Sequence, residues 1–148
     1  MSWAQRFALV FGSIYLLVGI FGFIPPLVSD EIPGAIGELA GPFTGYLLGL
    51  FAVNWFHNLA HLLIGAAGLA SYRNPIGAST YALVIGIAYA LLFLVGLFTQ
   101  QVAALGGLLP LNAWDDLLHL LTAAVAFGAY FVSLRAAGRA TYSVRHNY

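Results

Sequence analysis

The chain has no cysteine and no lysine. The first absence excludes disulfides and thiolate metal sites. The second leaves arginine as the only fixed cation, five in 148 residues. Charge as a whole is scarce: 7% of residues carry it, where a soluble domain carries about 25%. The formal net charge is zero, which gives no ground for a nucleic-acid partner. No Ser-His-Asp arrangement, phosphate loop or dinucleotide fingerprint occurs, so no enzyme activity is expected. What fills the chain is apolar: 61% hydrophobic residues and a mean hydropathy of +0.92. Such a chain is expected to lie in a membrane, and its length suits a single domain over residues 1–148.

Four apolar stretches reach spanning length: Arg6 to Ile24, Phe43 to Tyr72, Ala78 to Phe98 and Leu111 to Leu134. A spanning helix needs about 20 residues at ~1.5 Å each. The second stretch exceeds this and is expected to tilt or protrude. The first lacks a small-x-small cleavage site and is read as a retained span. The fold expectation is therefore all-α, a four-span transmembrane helix bundle. Residues 25–42, rich in Pro and Gly, read as an outer loop with a short interfacial helix around Ala35 to Leu39. Gly45-x3-Gly49 fits close helix contact.

The arginines set the orientation. Arg6 precedes the first span, Arg73 lies between the second and third, and Arg135, Arg139 and Arg145 follow the fourth. All fall on one side, so the positive-inside rule places both termini in the cytoplasm of an inner-membrane, multi-pass protein.

A polar stripe occurs twice at one spacing. The first copy holds Asn54, His57, Asn58 and His61; the second holds Asn112, Asp115, Asp116 and His119. Positions i, i+3, i+4 and i+7 share one helix face. Small residues continue each face: Gly65 and Gly68 after the first, Thr122, Ala123 and Ala126 after the second. Small and polar residues together mark a helix interface in lipid. Gly12 and Tyr15 of the first span likewise match Gly86 and Tyr89 of the third, and Gly19 matches the region of Gly96. The chain thus reads as two pseudo-repeated helix pairs, approximately 6–72 and 78–134. Both copies share one orientation about an axis along the membrane normal. His61 and His119 fall about 18 and about 24 Å from the arginine ends of their spans.

Intramembrane ionisable groups are costly and point to a site or to glue between helices. Four readings stay open. In the first, the stripes are a structural interface, and the protein is a structural or accessory subunit of a membrane assembly, in contact with lipid and with copies or partners. In the second, His57, His61, Asp115 and His119 hold a divalent, Zn-like metal, supported from behind by Asn54, Asn58, Asn112 and Asp116. In the third, His61 and His119 are axial ligands of a haem or another tetrapyrrole. In the fourth, the groups form a proton or small-solute pathway. Tyr15 and Tyr89 read as bundle aromatics that could donate to the stripe.

Three runs carry a family resemblance: Asn54, His57, Asn58 and His61; Pro110, Leu111, Asn112, Asp115 and His119; and Leu17 to Gly22. With them the chain resembles the uncharacterised bacterial four-helix membrane family called Domain of Unknown Function 4383, over nearly its whole length. The resemblance implies four spans and no activity. One departure is Asp116, where the pattern more often has Asn.

Overall fold

The computed structural model describes residues 1–29, 42–99 and 109–146. Among them are four helices: α1 (Trp3–Phe21), α2 (Trp55–Ser71), α3 (Pro75–Thr99) and α4 (Ala113–His146). Each begins on a residue that satisfies the free N–H groups of a first turn. Ser2 and Gln5 close a reciprocal capping box at α1. The Asn54 side chain accepts from His57 N at α2, and Asn74 accepts from Ile76 N at α3, where Pro75 opens the helix. Asn112 accepts from the N–H groups of Trp114 and Asp115 at α4. Two polar residues of the sequence stripes are therefore helix caps.

Trp3–Phe21, Pro75–Phe98 and Ala113–Arg139 are long and apolar enough to cross a membrane. α2 is not, with 17 residues, or about 26 Å. The expected second span from Phe43 to Tyr72 is corrected here. Its first third is a β-hairpin, β2 (Gly45–Leu47) and β3 (Phe51–Val53), and β1 (Val28–Ser29) completes an antiparallel sheet ordered β1-β2-β3. Leu48 and Gly49, with φ of 53° and 71°, close the hairpin. Two successive positive φ values are what a twisted two-residue turn demands. Gly45 has φ of 155° and packs on the Ser29 carbonyl. Both glycines thus serve turn and strand geometry, not a helix contact. The expected interfacial helix around Ala35 to Leu39 lies outside the described residues.

The helices pack mainly as α1 on α2 and α3 on α4. On α1, Gly12 lies on the backbone of Gly65, Gly68 and Leu69, Gly19 on Asn58 and Leu62, and Gly22 on the Asn58 side chain. Gln5 Nε2 donates to the Arg73 carbonyl at 3.2 Å. The two helices therefore run antiparallel along the full length of α1. A Cβ on Gly68 would stand 2.8 Å from the Ala8 carbonyl, so only glycine allows this approach. Gly65 and Gly68 were expected to lie in a helix interface, and they pack on α1. Between α3 and α4, Gly86 lies on the Phe127 ring and Gly96 on the Asp116 carboxyl. Tyr15, Tyr81, Ala82, Ile85, Tyr89, Ala123 and Ala126 form the core between the pairs.

Candidate functional site

The hairpin rests on the start of α4 through polar residues of the second stripe. Asp115 is 2% exposed, and its Oδ2 accepts from Ala52 N and from Asn112 N, both at 3.1 Å. Asn112 Nδ2 donates to the Leu50 carbonyl at 2.7 Å. On the other pair, Asn58 Nδ2 donates to the Gly22 carbonyl at 2.7 Å and ties α2 to the end of α1. A backbone N–H out of water needs such a partner, and the second stripe supplies it to the hairpin. Asn54, Asn58, Asn112 and Asp115 are thus engaged with backbone. Asp116 sits on Gly96, and its buried Oδ1 has no partner.

The histidines are arranged differently. His57 and His61, one turn apart on α2, bring their Nε2 atoms to 3.0 Å. One imidazole must donate and the other accept at that distance. The ring of His57 also faces the Pro110 carbonyl. His61 stands edge-on to Tyr15, ring centroids 4.6 Å apart, and His119 edge-on to Tyr89 at 5.2 Å. Tyr15 and Tyr89 meet each other at 5.6 Å. The result is a row, His61, Tyr15, Tyr89, His119, with one His–Tyr couple from each helix pair. The Nδ1 atoms of His61 and His119 are buried without a hydrogen-bond partner. Buried polar atoms are rarely left so, and those that are call for an explanation.

A cavity of about 60 Å³ adjoins them, lined by His57, His61, Tyr89, Pro110 and His119 among others. That is room for a few waters. Below it, toward the arginine end, the polar groups give way to close-packed glycines and alanines: Gly65, Gly68, Ala123 and Ala126 are all buried.

This geometry bears on each expectation. The four proposed metal ligands are not gathered. Asp115 is turned to the hairpin backbone, and the described residues contain no group of three or more His, Asp or Glu placed to hold a metal ion. His57 makes its contact with His61 within α2. His61 and His119 do line one cavity, but its 60 Å³ is far below the ~300 Å³ at which pockets for larger ligands begin, so a macrocycle does not fit. Among the described residues, the polar groups of the two stripes lie in one half of the helix pairs, at the hairpin end. Tyr15 and Tyr89 link the two histidines, a role beyond that of bundle aromatics. Their signal was present: each stands three residues after a helix-contact glycine, Gly12 or Gly86.

A family model described as Domain of unknown function (DUF4383) matches residues 5–132. The chain belongs to the DUF4383 family. No curated protein and no solved structure matches it. The DUF4383 match covers both stripes, both tyrosines and the hairpin.

Proposed function

We propose that this DUF4383 chain is a small integral membrane protein, not an enzyme, whose histidine pocket binds a small hydrogen-bonding solute, water or a hydrated proton, from the hairpin side. In this reading α2 is the fourth crossing. Its antiparallel course along all of α1 supports that, with the hairpin making up the missing length. The arginines favour a cytoplasmic position for the opposite end and both termini. Matching couples, His61 with Tyr15 and His119 with Tyr89, support a duplicated helix pair. So do the matching contacts of Gly22 with Asn58 and Gly96 with Asp116.

The observation that carries the reading is the unpartnered Nδ1 of His61 and of His119 beside a small cavity that three histidines line. A buried nitrogen without a partner costs about 1–3 kcal/mol. A fold keeps that cost at a site and sheds it elsewhere. A second reading, a structural or accessory subunit of a larger assembly, is favoured by Asn54, Asn58, Asn112 and Asp115, each of which bonds to backbone.

One substitution separates the two. Under the pocket reading His119→Leu stabilises the protein in mild detergent, by about 1 kcal/mol, because it removes an unsatisfied group. Imidazole nitrogen NMR of the parent protein would then show His61 and His119 responding together as the pH is lowered. Loss of stability in His119→Leu, with imidazole signals that ignore pH, would favour the structural reading and sink the pocket.

A further inference from the structure

A second feature lies outside the histidine pocket and is independent of it. A groove of about 640 Å³ runs between α1 and α4, lined chiefly by apolar side chains. Its α1 wall includes Trp3, Val10 and Ile14, which are 58%, 57% and 51% exposed. Its α4 wall includes Val125 and Val132, with Gly128 between them, where an added Cβ would meet nothing within 4 Å. The void is therefore real space between two helices that touch closely at one end, where Ala4 N donates to Ser133 Oγ at 2.8 Å.

The charge at that end is one-sided. Arg6 lines the groove, its guanidinium 5.3 Å over the Trp3 ring. On α4 the groove residues 121, 125, 128 and 132 continue at helical spacing to Arg135 and Arg139, both exposed. Positions separated by three and four residues in alternation share one face. The Ala4–Ser133 contact levels the two helices. Arg6 then stands about 3 Å to one side of that level and Arg135 about 3 Å to the other. The acids among the described residues, Asp115 and Asp116, are in the first turn of α4, at its opposite end.

The groove from Trp3 to Ile14 is about 16 Å long, half the ~30 Å hydrocarbon core. We propose that it is a binding site for one anionic glycerophospholipid: an acyl chain lies in the groove and the phosphate sits between Arg6 and Arg135. The depth of one leaflet matches an acyl chain; a partner helix would need the whole length. Guanidinium groups on two helices suit a phosphate, which accepts hydrogen bonds from both. A zwitterionic lipid fills the same groove but brings a cation to the same arginines.

Trp3 is the natural reporter. The experiment uses full-length protein with Trp55→Phe and Trp114→Phe, in nanodiscs of phosphatidylcholine. Brominated phosphatidylglycerol or brominated phosphatidylcholine is titrated in, and Trp3 quenching is read. The expected preference for the anionic lipid is at least about fivefold, the weight of one arginine near a charged surface. Arg6→Gln with Arg135→Gln is expected to abolish the preference but leave quenching by both lipids. Gly128→Leu is expected to weaken quenching by both. Equal quenching by the two lipids in the parent would overturn the proposal. So would a preference that survives loss of both arginines. Trp3 shielded from both lipids, with a crosslinked dimer through α1, would assign the groove to a second copy instead.

Discussion

The α1–α2 pair and the α3–α4 pair are built alike and finished differently. Both are antiparallel, both open their second helix on an Asn cap, and both set a tyrosine beside a histidine. The first pair then closes backbone against backbone, with Gly12 on Gly65 and Gly68. The second closes backbone against a ring, with Gly86 on Phe127. Where the first pair carries His57 and Asn58, the second carries Asp115 and Asp116. One arm therefore presents imidazoles to the cavity and the other presents a carboxylate to the hairpin. The same frame supports two tasks because these substitutions sit at one cap-proximal turn, where the helix caps are shared.

The largest expected effect tests the two closures. Gly12→Ala places a methyl 3.0 Å from the Gly65 carbonyl and the Leu69 nitrogen, and neither backbone atom can retreat alone. Overpacking of this kind costs about 3 kcal/mol. Gly86→Ala meets the Phe127 ring at 2.8 Å, and a side chain can turn aside. A cost of about 1 kcal/mol is expected there, recovered in Gly86→Ala with Phe127→Leu. Unfolding in mixed micelles would measure both. Equal losses without rescue at Gly86 would mean that the two interfaces close in the same way.

The next effect tests the hairpin clamp. A single oxygen of Asp115 accepts both N–H groups. Asp115→Ala strands Ala52 N–H and Asn112 N–H, at about 2 kcal/mol, and amide exchange at Ala52 is expected to rise. Asp115→Asn keeps a carbonyl oxygen in the same place and is expected to cost under about 1 kcal/mol. An Asn variant as damaged as the Ala variant would show that the negative charge, not the acceptor, holds the hairpin.

These contrasts also show what could be read from residue order. Helix positions followed from hydropathy because a spanning helix needs a long apolar run, and three such helices are present. The same measure misread 43–53. Phe43, Tyr46, Leu47, Leu48, Phe51 and Val53 are as apolar as any span, but hydropathy does not distinguish an apolar hairpin from a helix. The positive φ values at Leu48 and Gly49 had only one glycine to announce them. The stripes were legible as sites of interest because polar residues stand out in an apolar chain. Their partners were not, since Ala52 N–H, Leu50 C=O and Gly22 C=O are backbone groups with no signature in the side-chain sequence. Metal spacing was read into His57, His61, Asp115 and His119 because one-turn spacing also suits caps and clamps. In the structure Asp115 accepts from the backbone of the hairpin and of its own helix start.

The smallest effect concerns the second difference between the pairs. Asn58 and Asp116 occupy the same place, each with its side chain on the glycine near the end of the partner helix, Gly22 or Gly96. Asn58 has an amide and donates to the Gly22 carbonyl. A carboxylate has no proton to donate, and Asp116 Oδ1 is buried without a partner. Asp116→Asn is therefore expected to stabilise the α3–α4 pair, by about 1 kcal/mol. The reciprocal change, Asn58→Asp, removes the 2.7 Å bond and is expected to destabilise by a similar or larger amount. Thermal unfolding of both variants in one detergent reads the sign directly. Should Asp116→Asn lose stability, Asp116 holds a partner that Asn cannot, and the two pairs differ in chemistry at that turn as well as in charge.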